Sequence, residues 1–212
     1  MAVICPSITA MNEHLYRTQM ERIENVAKRI HIDLSDERFA PSRLVDIKKI
    51  WWPDHLRADL HLMCSEPENY LDEAIRLKPK LVIVHAEADG NHMRMAQELH
   101  SAGIKFGVAL LPITPPDFIS QMYREIDHVL VFAGHLGYFG GVADMSQLRK
   151  VRSIREVEPD IEIGWDGGIN DKNIEEMANA GVDVFNVGGF IQHSKEPAQA
   201  YAKLSQKVGA GL

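Results

Sequence analysis

Short runs of apolar and β-branched residues recur along the chain, and nearly every run is followed by a polar segment with helical spacing. The runs predict strands at Val3–Ile8, Ile30–Leu34, Ala58–Met63, Leu81–His85, Phe106–Leu110, Val129–Ala133, Ile161–Trp165 and Val184–Val187. The segments between them predict helices at 12–29, 43–50, 67–77, 91–102, 116–124, 145–157, 171–180 and 196–207. Asn12 is placed to cap the first helix, Pro67 suits the first turn of the third, and Asn170 precedes the seventh. Strict β-then-α alternation forces a parallel sheet with helical crossovers, and eight units is the number that closes the sheet on itself. The expected architecture is therefore α/β, a single compact (β/α)8 TIM barrel spanning residues 1–212, with about 26 residues per unit. No Ser/Gly-rich linker or shift in composition marks a second domain. An open doubly wound sheet would carry a Gly-x-Gly-x-x-Gly turn after its first strand, whereas this chain has Ser7-Ile8-Thr9-Ala10-Met11-Asn12.

Composition narrows the partners. Of the 212 residues, 45% are hydrophobic and 25% charged, which are ordinary globular values. Lys and Arg number 23 against 30 Asp and Glu, a net charge of −7 with no basic run to follow a phosphate backbone, so nucleic acid is not an expected partner. The longest apolar stretches, such as Leu81–Val84 and Val129–Ala133, fall far short of the ~20 residues that span a bilayer. Met1-Ala2-Val3-Ile4-Cys5-Pro6 lacks a basic segment ahead of its short apolar run, so no membrane association is expected and the location is read as cytoplasmic. Cys5 and Cys64 both fall in segments that read as buried strand, where a thiol acts as a small hydrophobe, and neither is given a chemical role.

In such a barrel the chemistry collects where strands run out into the following loops. Strand two ends His31-Ile32-Asp33, and alternation points the imidazole and the carboxylate to one face with Ile32 behind them. Strand three ends Asp59-Leu60-His61-Leu62-Met63, placing His61 on a face with Asp59 and Met63, and strand seven runs out at Asp166-Gly167-Gly168. Two imidazoles and two carboxylates with no sulfur suit one borderline divalent ion, Zn²⁺ first, with Mn²⁺, Fe²⁺ or Co²⁺ as alternatives.

Glycines form a second group: Gly137 with Gly140-Gly141 after strand six, Gly167-Gly168 after strand seven, and Gly188-Gly189 after strand eight. Backbone amides without side chains approach an anion closely, and the last loops of these barrels are a common phosphate site, so a phosphorylated small molecule is the expected ligand. His85 and Glu87 face one way at the end of strand four and are read as packing or supporting groups outside the metal set. Trp51-Trp52 reads as packing against the barrel or a neighbouring subunit, and His14, His55, His92, His100, His128 and His193 as surface or structural.

With these residues in view, the chain resembles the ribulose-phosphate 3-epimerase family over nearly its whole length. The matching segments are Pro6-Ser7-Ile8, His31-Ile32-Asp33 with Phe39-Ala40-Pro41, Asp59-Leu60-His61-Leu62-Met63, Val84-His85-Ala86-Glu87-Ala88, Pro112-Ile113-Thr114-Pro115 and Asp166-Gly167-Gly168-Ile169. The resemblance implies that His31, Asp33, His61 and Asp166 hold the metal, that Asp33 and Asp166 double as the proton-transfer pair, and that Ser7, His61 and Met63 lie at the substrate. It also implies a homo-oligomer. Inverting a carbon beside a ketone takes a proton from one face and returns one to the other, which calls for two carboxylates on distant strands.

The chain departs from the family around the substrate. Ser35-Asp36-Glu37 replaces the usual Met-Asp-Gly, and Phe132 stands where Met is usual. The sixth loop, Leu136-Gly137-Tyr138-Phe139-Gly140-Gly141, is one residue longer, with Val142 in place of Gln, while Leu111 replaces Asn and Trp165 a smaller residue. The leading expectation is a 3-epimerase interconverting D-ribulose 5-phosphate and D-xylulose 5-phosphate. Its alternatives are a paralogue for another ketose phosphate such as a hexulose 6-phosphate, or a barrel that binds a phospho-ligand without turnover. Decarboxylation or aldol chemistry on related barrels uses an Asp-x-Lys-x-x-Asp run on strand three, and the lysine is absent here.

Overall fold

Eight parallel strands pair in chain order, and the first pairs with the last to close the barrel. The structure is a computed structural model that describes residues 2–138 and 140–209. The strands are β1 (Val3–Ile8), β2 (Arg29–Ser35), β3 (Arg57–Met63), β4 (Leu81–His85), β5 (Lys105–Leu110), β6 (His128–Phe132), β7 (Glu162–Asp166) and β8 (Val184–Val187). The helices are α1 (Glu13–Ile23), α2 (Leu71–Leu77), α3 (His92–Ser101), α4 (Leu148–Val157), α5 (Ile174–Asn179), α6 (Gly189–Gln192) and α7 (Pro197–Lys207). Closure leaves no sheet edge, so every strand spends its backbone groups on two neighbours. Among the described residues no helix is long and apolar enough to cross a membrane.

All eight expected strands form, but several expected helices do not extend as the hydrophobic spacing suggests. Asn12 does cap α1, its side chain accepting from the Leu15 N–H at 2.9 Å, yet the helix ends at Ile23 instead of running to 29. The expected helix at 43–50 is only a 3₁₀ turn at Ile47–Lys49. Its backbone is claimed from outside: Leu44 N donates to Ser35 Oγ, and Val45 N donates to Ala10 O at 2.8 Å. Between Pro116 and Glu125 the chain forms 3₁₀ turns instead of the expected α-helix. A 3₁₀ turn at Pro67–Tyr70 precedes α2, and another at Met145–Gln147 precedes α4. In the seventh segment, Asn170 and Asn173 bond to each other's neighbourhood through the Asn170 N–H, so α5 begins only at Ile174. The short helix α6 was not anticipated.

The register sorts the barrel interior into two halves. Parallel pairing sets His31 beside Asp59, Asp33 beside His61, Phe132 beside Asp166 and Asp166 beside Asn186. On the opposite side Leu81, Ile83, Ala109 and Leu130 form a separate apolar cluster. The lower end of the polar half is closed by charge: Arg29 Nε donates to Asp59 Oδ2 at 2.7 Å, and its two terminal nitrogens donate to Glu162 at 2.8 and 2.9 Å. His128 Nδ1 lies 2.8 Å from the same Glu162 carboxylate. Gly164 makes room for that ring, since a Cβ there would fall 2.5 Å from His128 Nε2. The ion cluster plugs the bottom of the barrel, and the strand ends above it are left for chemistry.

Candidate active site

Strand alternation places His31 and Asp33 on the interior of β2, His61 and Met63 on that of β3, and Asp166 at the end of β7. Each of His31, Asp33, His61 and Asp166 offers one ligand atom, and these four atoms lie within 4.8 Å of one another. His31 Nε2 is 3.2 Å from Asp33 Oδ1 and 3.7 Å from Asp166 Oδ2. His61 Nδ1 is 3.0 and 3.7 Å from the same two oxygens. Both rings are completely buried, and neither nitrogen of His31 makes a hydrogen bond. A buried nitrogen-and-oxygen set with orphaned donor atoms fits a borderline divalent cation.

The two carboxylates differ in environment. Burial opposes ionisation of Asp33, but the closeness and charge of His31 and the hydrogen bond and charge of His61 outweigh it and hold the group well below the usual carboxylate range. Asp166 is pushed up to about 7, by burial first and then by the charge of Asp33. Thr9, one residue past the end of β1, donates from its hydroxyl to Asp33 Oδ2 at 2.6 Å. Ser7 was placed at the substrate by the family resemblance alone, and alternation from it to Thr9 is a signal the sequence reading passed over.

Above these groups lies a cavity of about 200 Å³. Its wall includes Ser7, Asp33, Met63 and Asp166, together with Gly140, Gly141, Gly167, Gly168, Gly188 and Gly189. His61 lies behind this wall, 3.0 Å from Asp33. Two of the glycines are required by close backbone approach: a Cβ on Gly167 would fall 2.3 Å from Gly134 N, and one on Gly168 would fall 2.1 Å from Ala143 N. Both have positive φ, at 118° and 65°, which L side chains rarely adopt. These glycines thus dock the sixth loop against the seventh and keep the cavity narrow. Phe139 of that loop lies outside the described residues.

Further groups in the wall were not singled out from sequence. Asn186 is buried, and neither end of its side chain is hydrogen-bonded. Tyr138, Asn170 and Phe190 also line the cavity. His193, read from sequence as surface or structural, is exposed and contributes to the wall as well. Cys5 and Cys64 are buried free thiols, and burial raises both above the ordinary thiol range.

The comparisons with known proteins agree with this geometry. The family model described as Ribulose-phosphate 3 epimerase family matches residues 3–192. A ribulose-phosphate 3-epimerase of Mycobacterium tuberculosis (strain ATCC 25618 / H37Rv) is 30% identical, over 98% of this chain and 93% of the relative. The Bacillus subtilis (strain 168) protein of the same name is 26% identical, over 96% of this chain and 98% of its own. Among solved structures, 3-hexulose-6-phosphate synthase from Salmonella typhimurium superposes with a TM-score of 0.70 at 16% identity, over 99% of this chain and 100% of the other, a likeness of fold. The chain belongs to the ribulose-phosphate 3-epimerase family.

Proposed function

We propose that the protein is a metal-dependent 3-epimerase of a phosphorylated ketose, with D-ribulose 5-phosphate and D-xylulose 5-phosphate as the leading pair. The observation that carries this reading is the placement of two carboxylates, Asp33 from β2 and Asp166 from β7, around one pair of histidine nitrogens at the foot of a glycine-walled cavity. His31, Asp33, His61 and Asp166 are the residues that would hold the cation, and their chemistry favours Zn²⁺ over Mg²⁺ or Ca²⁺. When bound, the cation supplies Lewis-acid stabilisation of the negative charge that develops beside the ketone, an effect of several kcal/mol.

The chain's own residues provide the rest. One carboxylate removes the proton from the carbon beside the ketone and the other returns a proton to the opposite face, so the configuration inverts. In the metal-free chain their environments already differ, Asp33 being held below the usual carboxylate range and Asp166 pushed up to about 7. Thr9 holds Asp33 by its Oδ2. The glycine loops receive the phosphate through backbone amides, and Met63 gives the reacting carbons an apolar neighbour. Anchoring the far end of the sugar turns remote binding into alignment of the reacting carbon.

Tyr138 in the cavity wall, on a sixth loop one residue longer than the family's, favours as a second reading a paralogue for another ketose phosphate such as a hexulose 6-phosphate. The deciding experiment is an assay of Zn²⁺- and Mn²⁺-loaded protein against pentulose 5-phosphates and hexulose 6-phosphates. Inversion of one pentulose 5-phosphate supports the first reading and inversion of a hexulose 6-phosphate the second. Binding of a phosphoketose without turnover of any would leave a ligand-binding barrel.

A further inference from the structure

Behind the metal-ligand set lies a chain of buried groups with no part in the reaction above. His61 Nε2 is 2.9 Å from His85 Nε2. On the far side of its ring, His85 Nδ1 is 3.5 Å from Glu87 Oε2. Both of those atoms are buried and neither completes a hydrogen bond, and the Thr114 side chain also holds the Glu87 carboxyl. The Glu87 carboxylate is anchored through its other oxygen, which accepts from Leu111 N at 3.0 Å, and the Leu111 carbonyl in turn accepts from Lys150 Nζ at 2.6 Å. The His85 ring has no freedom to turn. It stacks on His61 with centroids 5.0 Å apart, lies 4.7 Å from the Phe39 ring, and meets Phe132 edge-on at 5.9 Å.

Two nitrogens at 2.9 Å share one proton, and with one proton on each ring two placements are possible. In the first, His61 carries its proton on Nδ1 and gives it to Asp33 Oδ1, while His85 carries its proton on Nε2 and gives it to His61 Nε2. His85 Nδ1 then turns a lone pair toward the Glu87 carboxylate. In the second, His61 Nδ1 is free of its proton, His61 Nε2–H donates to His85 Nε2, and His85 Nδ1–H is directed at Glu87. The two differ at both ends of the row, the first holding a proton at His61 Nδ1 and the second one at His85 Nδ1. A cation on His61 Nδ1 is compatible with the second placement alone, because a nitrogen that ligates a metal cannot also hold a proton.

We propose that His85 and Glu87 are positioning residues for the metal site: Glu87 favours His85 in its Nδ1–H form, His85 Nε2 then accepts from His61 Nε2–H, and the tautomer and orientation of His61 are thereby fixed with Nδ1 free for a cation. The inference rests on the metal-site reading of the previous subsection and extends it to two residues that touch neither metal nor substrate. Such outer partners are commonly worth about 10–100-fold in metal affinity.

The test reads tautomers and affinity without reference to turnover. Long-range ¹H–¹⁵N spectra of the histidine rings, with His85 assigned by comparison with His85→Gln, are recorded on metal-free protein and after addition of one equivalent of Zn²⁺. The proposal expects the Zn²⁺-loaded protein to hold His61 in the Nε2–H form and His85 in the Nδ1–H form. Glu87→Leu should weaken Zn²⁺ binding about 10–100-fold in chelator competition. Glu87→Gln, whose amide oxygen still accepts, should recover most of that loss, and circular dichroism of the metal-free variants checks that each remains folded. Stoichiometric Zn²⁺ binding with His85 in the Nε2–H form, or Glu87→Leu affinity within twofold of wild type, overturns the proposal while leaving the metal site standing. Failure of the wild-type protein to bind Zn²⁺ overturns both.

Discussion

Asp33 and Asp166, from strands on opposite sides of β1, address the same two histidine atoms at unequal range. Asp33 Oδ1 lies 3.2 Å from His31 Nε2 and 3.0 Å from His61 Nδ1, whereas Asp166 Oδ2 lies 3.7 Å from each. The closer carboxylate is held ionised, and the farther one is pushed up to about 7. Two acids that began alike in sequence are thereby set apart by position, which is what a proton donor and a proton acceptor acting together need.

The ion cluster under the site is a stability element with a definite cost of disruption. Arg29→Met would leave Asp59 buried without its cation and Glu162, a quarter exposed, with His128 alone, and breaking a buried pair costs about 3–5 kcal/mol. Urea unfolding of the variant should show a loss of that order. A change below about 1 kcal/mol would mean that the cluster is replaceable by packing.

Acid stability should follow the same cluster. Burial opposes the charge on Glu162, but hydrogen bonds from His128 and Arg29 outweigh it and depress the carboxyl well below its ordinary value of 4.5. A depressed folded-state pKa contributes stability that is complete above the unfolded value and is lost as pH falls through the folded one. The protein should therefore lose stability progressively below about pH 4.5, and Glu162→Gln should flatten that limb of the profile. A limb of equal steepness in the variant would assign acid unfolding to other carboxylates.

Loop docking makes unequal demands on the glycines. Gly168→Ala places a Cβ 2.1 Å from Ala143 N at a φ of 65°, so about 1–3 kcal/mol of strain and a displaced sixth loop are expected. The KM for a phosphorylated substrate should rise more than kcat falls. A Cβ at Gly140 meets nothing within 4 Å, so Gly140→Ala carries only the backbone strain of its positive φ and should be the milder change. Equal effects of the two would remove the docking argument.

Metal binding and folding should be linked. A cation that binds only the folded chain stabilises it by about 2.7 kcal/mol at a hundred times its dissociation constant. Tm should rise with added Zn²⁺ and fall on chelation, and His31→Ala should lose the response. A Tm indifferent to Zn²⁺ would contradict the assignment of these four residues.

The cluster of His31, Asp33, His61 and Asp166 was legible in the sequence because strand alternation has a period of two, and a His-x-Asp at a strand end can face only one way. The eight strands were legible as short apolar and β-branched runs. The segment 43–50 was not, since its helical spacing says nothing of Ser35 Oγ and Ala10 O, which capture its backbone from elsewhere in the chain. The 3₁₀ turns at Pro116–Glu125 share their polar pattern with an α-helix and were misread accordingly. The glycine pairs were legible as a group, but the close approach of Gly167 and Gly168 to the sixth loop is a tertiary relation that spacing does not carry. His193 escaped notice because an exposed histidine just past the four-residue helix α6 has no periodic signal.

The central claim is that Asp33 and Asp166 exchange a proton with the carbon beside the ketone of a phosphorylated sugar. NMR of deuterium wash-in at that carbon, in D₂O with Zn²⁺-loaded protein and D-ribulose 5-phosphate, measures this directly. The account predicts incorporation with inversion in the wild type, and for Asp33→Asn and Asp166→Asn a loss of at least about 10²–10⁴-fold with the fold intact. Wild-type incorporation in Asp166→Asn would contradict it.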